Sequence, residues 1–298
     1  MSEPSLNYVL CPDGAKGHRM AYWQWGNPRA RHVVVCVHGL SRQGRDFDVL
    51  ARALCKAAGR KIRVVCPDVV GRGQSDWLQD AAGYQIPTYA ADMLALLAQL
   101  KPKTLDWVGT SMGGLIGMVI CGQPDLPLPV PVRRLVLNDV GPVVEWRAIQ
   151  RIGQWLGETG RFESVQAAAD VLWANSSTFG PHTPSQWLEF SRHMVKPLQD
   201  GSGCVTLHYD PAISVSFSAM TPESAAQVDA MLWQLYDQIK ASTLLLRGAN
   251  SDLLTRDTAK AMMQRGPKAQ LTEFKGIGHV PTLIADDQVQ AVTSFLLD

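Results

Sequence analysis

The chain has 298 residues, 46% of them apolar, so one large domain or a domain with an insertion can bury a sizeable core. Its 28 Lys+Arg and 27 Asp+Glu leave a formal charge of +1 with no basic stripe, which argues against a nucleic-acid or anionic-membrane partner. No apolar run approaches the roughly 18 residues of a membrane span, and Met1 to Leu10 lack the charged-then-apolar pattern of a secretion signal. Six scattered cysteines form no C-x-x-C pair, and Cys36, Cys66 and Cys121 lie in apolar segments. They read as buried free thiols of a protein kept in the reducing cytoplasm.

In chain order, Tyr8 to Cys11 and Met20 to Trp25 flank a turn at Pro12-Asp13-Gly14 and form an expected hairpin. Strands and helices then alternate. Val33 to Val37 and Arg63 to Cys66 are continuous apolar strands separated by a helix over Phe47 to Ala58. Thr88 to Leu100 is a helix, Leu105 to Val108 a strand, and Arg134 to Leu137 another. Thr243 to Leu246 and Gln270 to Phe274 follow much later, and a helix over Asp286 to Leu297 closes the chain. Strands apolar on both faces and separated by helices define an α/β fold, a mostly parallel twisted sheet with helices on both faces. The alternation stops between Val143 and Ala241, where Trp, Gln and Ala are abundant and the pattern is mainly helical, including Val165 to Trp173 and Thr183 to Met194. The expected division is a core of residues 1–142 plus 242–298 and an inserted cap of 143–241. Its boundary residues, Pro142 and Ser242, are expected to lie close together, with the cap over the C-terminal edge of the sheet, where open α/β sheets bind ligands.

Gly109-Thr110-Ser111-Met112-Gly113 matches G-x-S-x-G between a strand and the buried helical stretch Gly114 to Ile120. A serine there sits on a very tight, strained turn that holds its hydroxyl clear of the sheet. A serine hydroxyl needs a base in reach and an acid to orient that base. In chain order these are expected to be Ser111 as nucleophile, Asp252 in the loop after Thr243 to Leu246, and His279 in the glycine-containing loop after Phe274. Asp139, after the strand ending at Leu137, is the rival acid and is weighed below Asp252. The oxyanion is expected to meet the N–H groups of Leu40, in the His38-Gly39-Leu40 loop, and of Met112, at a helix start. His38 is expected to anchor its loop rather than move protons. The glycine-containing turn Asp68 to Ser75 lacks a complete nucleotide-binding pattern and reads as a structural turn beside the site.

These residues together resemble the α/β-hydrolase superfamily: His38-Gly39, the Asp68…Gly71-Arg72-Gly73-Gln74-Ser75 turn, Gly109 to Gly114, Asp252 and Gly278-His279 match in order. The resemblance covers most of the chain apart from the insertion, which looks like that family's variable cap. It implies hydrolysis without metal or organic cofactor, and Ser111 sets the chain apart from the members that carry aspartate at the elbow. Within it the expected activity is that of a serine esterase on small or medium carboxylic esters. A carbon–carbon bond hydrolase, lactonase or perhydrolase on the same residues is the alternative, and a non-catalytic receptor stands further off. The expected partner is a small-molecule ester, with a homo-oligomer left open. For substrate binding, Arg42, beside Arg45, is a candidate for a carboxylate, and Trp146, with Trp155, Trp173, Phe179 and Trp187, for an apolar pocket.

Overall fold

A computed structural model describes residues 3–13 and 16–298, the side chains at 175 and 177 apart. Two antiparallel strands, β1 (Ser5–Cys11) and β2 (His18–Gly26), form the expected hairpin, with Gly14 of its turn outside the described residues. They are followed by β3 (His32–Val37), α1 (Asp48–Ala58), β4 (Ile62–Pro67), α2 (Ile86–Leu100), β5 (Thr104–Thr110), α3 (Met112–Gly122) and β6 (Val132–Asn138). The excursion holds α4 (Trp146–Gly153), α5 (Val165–Ser176), α6 (Pro184–Ser191), the short pair β7 (Val195–Pro197) and β8 (Val205–Leu207), α7 (Ile213–Ser218) and α8 (Pro222–Gln238). The chain ends with β9 (Ser242–Gly248), α9 (Arg256–Gln264), β10 (Gln270–Phe274) and α10 (Asp286–Leu297).

Eight strands form one sheet in the order β1-β2-β4-β3-β5-β6-β9-β10, parallel from β4 onward. The apolar runs are explained by burial on both faces. Successive side chains of a strand point to opposite sides, so Val33, Val35 and Val37 enter the core under α2, α3 and α8, while Val34 and Cys36 enter the one under α1 and α10. Leu135 and Leu137 divide from Val136 in the same way. No helix among the described residues is long and apolar enough to cross a membrane.

The stretch 143–241 is not uniform. Parallel pairing puts Ser242 level with Arg134, at the opposite end of β6 from where the chain leaves it. Pro142 and Ser242 therefore do not adjoin as expected, because a chain returning to a parallel strand must first cross the length of the sheet. The 17-residue α8 makes that crossing. It opens with a capping box, the Thr221 hydroxyl accepting from the Ser224 N–H and the Ser224 hydroxyl from the Thr221 N–H, with Pro222 in the first turn. It then packs on α3, so closely that a side chain at Gly122 would strike the Leu235 backbone. Among the described residues, only the elements from α4 to α7 lie apart from the helical layers of the sheet. They are joined to the core turn by bonds from the Gly73 N–H to the His208 carbonyl and from the Asp210 N–H to the Gly71 carbonyl, at 3.0 and 2.8 Å.

Candidate active site

Ser111 stands between β5 and α3 with φ 50° and ψ −116°, a left-handed strained conformation for a residue with a side chain. The turn tolerates no bulk: a Cβ on Gly109 would collide with the Gly113 backbone, and one on Gly113 with the Val37 carbonyl. The Ser111 N–H donates to the Asn138 carbonyl at 3.0 Å, which ties the turn to the end of β6. The Asn138 side chain bridges outward, donating from Nδ2 to Thr110 Oγ1 and to the Pro281 carbonyl.

His279 follows β10 as expected. Its Nε2 lies 3.1 Å from Ser111 Oγ and its Nδ1 2.7 Å from Asp139 Oδ2. The carboxylate can only accept, so Nδ1 carries the proton and Nε2 is free to accept from the serine hydroxyl. This corrects the expected acid. Asp252 instead forms a bidentate ion pair with Arg151 of α4 at 2.8 and 3.0 Å, its side chain 51% exposed. Asp139 is fully buried and receives, besides His279, the Gly248 N–H on Oδ1 and the Ser251 hydroxyl on Oδ2. The end of β9 and the loop after it thus contribute an amide and a hydroxyl around Asp139, while the Asp252 carboxylate is taken up by Arg151. A left-handed φ of 55° at Asp139 accompanies this inward turn.

The loop after β3 is anchored by its carbonyls. His38 is fully buried; its Nε2 accepts the Val69 N–H at 2.9 Å, so its Nδ1–H donates to the Gly39 carbonyl at 2.7 Å. Burial holds its pKa down to about 3, keeping it neutral, which agrees with a loop anchor and not a proton carrier. Arg72, equally buried, donates from Nε to the Leu40 carbonyl and from Nη1 to the Val70 carbonyl at 2.8 and 2.7 Å. Its guanidinium lies over the Tyr89 ring, 4.9 Å from the centroid. With the carbonyls of Gly39 and Leu40 both engaged, the Leu40 N–H has no acceptor among the described residues. Met112, the first residue of α3, has an N–H that the helix cannot pair. Arg72 was not singled out from the sequence; the only signal was its place in the glycine turn, where its long-range partners are invisible.

Ser111 and His279 open into a cavity of about 330 Å³ lined mainly by apolar side chains, including Trp155, Phe162, Leu172, Phe179, Phe190 and Met194. Leu40 and Arg42 line it as well. Trp146 does not: it begins α4, and Trp155, nine residues on, provides the indole. Trp187, 5% exposed, packs α6 on α5, edge-on to Trp173 with centroids 5.0 Å apart and donating to the Ala169 carbonyl. Arg45 faces away, paired with Asp48 and Glu3 over the Trp23 ring. The segment 178–182 also braces the His279 loop. The Gly278 N–H donates to the Thr178 carbonyl at 2.6 Å, and His182 Nε2 lies 2.9 Å from Thr282 Oγ1. One group of potential metal donors, Cys11, His18 and Asp92, is buried where the β1–β2 hairpin meets α2; there His18 Nε2 is already hydrogen-bonded to Asp92 Oδ2 at 2.9 Å.

Comparison with known proteins agrees with this architecture. A model of the alpha/beta hydrolase family matches residues 34–293. The 3-hydroxybutyrate-oligomer hydrolase of Cupriavidus necator is 45% identical over 295 residues, covering 99% of this chain and 98% of that protein. The 2-hydroxy-6-oxo-2,4-heptadienoate hydrolase of Pseudomonas putida is 25% identical over 85% of this chain and 83% of its own length. The crystal structure of an alpha/beta hydrolase from Novosphingobium aromaticivorans superposes with a TM-score of 0.83 at 32% identity, covering 99% of each chain. The chain belongs to the α/β-hydrolase family and is an enzyme of that class.

Proposed function

We propose that the protein is a serine esterase that cleaves the ester bonds of short 3-hydroxyalkanoate oligomers through an acyl-enzyme. The observation that carries the reading is the hydrogen-bonded series Ser111–His279–Asp139 opening into an apolar cavity, in a chain 45% identical to a 3-hydroxybutyrate-oligomer hydrolase. In this mechanism His279 Nε2 takes the proton of Ser111 as Oγ attacks the ester carbonyl. Asp139, in the role expected of Asp252, holds the imidazole in the required tautomer and supports its positive charge. The N–H groups of Leu40 and Met112 receive the oxyanion; losing one such donor typically costs about 10²–10³ in rate. His279 then protonates the departing hydroxyl, and water attacks the acyl-enzyme with the same residue as base. The elements from α4 to α7 act as the cap that selects substrate. The six free thiols favour a reducing cytoplasm as the working compartment.

The test is to incubate the protein with 3-hydroxybutyrate dimer and trimer and to measure released monomer, with Ser111→Ala as control. Hydrolysis by the wild type and a loss of at least about 10⁴-fold in the variant are expected. Intact oligomers, or a variant as active as the wild type, would overturn the reading. Cleavage of a 2-hydroxy-6-oxo-dienoate without ester cleavage would favour carbon–carbon hydrolysis instead.

A further inference from the structure

The expected role of Arg42 as a carboxylate receptor does not fit its surroundings. Its Nε and Nη2 donate to both oxygens of Asp46 at 2.6 and 2.7 Å, and its guanidinium lies 4.0 Å above the centroid of the Phe190 ring. Both side chains are nearly buried, at 13% and 12% exposure, and both line the cavity. The Arg42 charge is thus neutralised in place, and a substrate carboxylate brought to it would also face the Asp46 carboxylate.

The pair nevertheless keeps unused hydrogen-bonding capacity. Arg42 Nη1 has no acceptor among the described residues, and each Asp46 oxygen holds a lone pair beyond the one Arg42 takes. Burial raises the Asp46 carboxyl above its usual range against the opposing pull of Arg42, so a further donor to it would be favourable. The Arg42 stem is also close to the chemistry, and both members of the pair line the cavity into which Ser111 opens. A Cβ on Gly39 would lie 3.7 Å from both Arg42 Cγ and Ser111 Cβ, so the arginine stem and the nucleophile flank the same glycine. A neutral group that both donates and accepts, within one acyl unit of the scissile carbonyl, meets these requirements, and a hydroxyl is the smallest such group.

We infer that Arg42 and Asp46 form a subsite for the free 3-hydroxyl of the acyl unit, the hydroxyl accepting from Arg42 and donating to Asp46. The inference rests on the ester-hydrolase reading and adds a direction to it: monomers are released from the hydroxyl end of the oligomer, with the carboxylate end toward the cavity mouth.

The test compares kcat/KM for p-nitrophenyl esters of 3-hydroxybutyric, 3-methoxybutyric, butyric and succinic acids. The wild type is expected to prefer the hydroxyacyl ester over butyrate by about tenfold or more, the effect of a hydrogen bond to charged groups. The methoxy ester, which cannot donate to Asp46, should lose that preference. In the Arg42→Met/Asp46→Leu double variant, which leaves no unpaired buried charge, the hydroxyacyl-to-butyryl ratio should approach one. Equal wild-type rates on hydroxy and methoxy esters, a preference for the succinate half-ester, or an unchanged ratio in the double variant would overturn the subsite. The first two comparisons decide the matter even where the double variant fails to fold. Failure of the wild type on all four esters would instead defeat the ester-hydrolase reading itself.

Discussion

Asp139 and Asp252 occupy equivalent-looking places, each in the loop after one of two neighbouring parallel strands, β6 and β9, yet their surroundings are opposite. Asp139 is fully buried and collects three hydrogen bonds, from His279, Gly248 and Ser251. Asp252 is half exposed and pairs with the half-exposed Arg151 of α4. A buried carboxylate is stable only when its lone pairs are met by donors, and the two loops together build that shell for one acid and not the other. Position after a strand makes a carboxylate a candidate; the donors converging on it set which one is buried against His279.

The sharpest way to break this comparison is to neutralise each acid in turn. Asp139→Asn should lower kcat by about 10⁴-fold, because an amide can hold the imidazole in the wrong tautomer. Asp252→Asn should stay within about threefold of wild type. Steady-state kinetics on an oligomer or p-nitrophenyl ester checks both, and the reverse pattern would restore Asp252 as the acid. On the opposite flank of Ser111, Arg72→Met should reduce kcat by about 10²-fold by freeing the Leu40 carbonyl and misplacing its N–H, with a smaller effect on KM. An unchanged kcat in a protein of native circular dichroism would remove Arg72 from the oxyanion loop's support. Ser251→Ala, which takes one donor from Asp139, should cost about tenfold in kcat. A loss no greater than that of Asp252→Asn would mean that the loop after β9 gives the acid no measurable support. The smallest effect is expected from Arg151→Ala: an exposed ion pair contributes about 1 kcal/mol at most. Urea denaturation should therefore move little, and a loss above about 2 kcal/mol would make this pair a principal fastening of α4.

Much of the site was legible because its signals are local. Ser111 announces itself through glycines that a tight turn requires, and those glycines do lie where added side chains would hit backbone. His279 could be found from order alone, after the last strand. Arg42 and Trp146 were less legible: Asp46 lies four positions from Arg42, but nothing in the sequence brings Phe190, 148 positions away, over its guanidinium, and an indole at the start of a helix carries no sign of which way it faces. The place of α8 was illegible for a similar reason: it has the composition of its neighbours, and its packing on α3 is visible only in the fold.

The sequence by itself determined the order of strands and helices, the two-faced burial of the sheet, the strained serine turn and the histidine that lies against it. Each of these follows from periodicity, residue size or backbone restriction within a few positions. The tertiary structure alone decided which carboxylate meets His279, the anchoring of the loop after β3 by Arg72 and His38, and the neutralised pair in the cavity. The first two depend on hydrogen bonds between distant positions, such as the 140-residue step from Asp139 to His279 and the 31-residue step from His38 to Val69; the pair is local, and what the tertiary structure adds to it is burial and the Phe190 ring. Burial then makes those partnerships obligatory, because a polar group withdrawn from water without a partner costs more than the fold can spare.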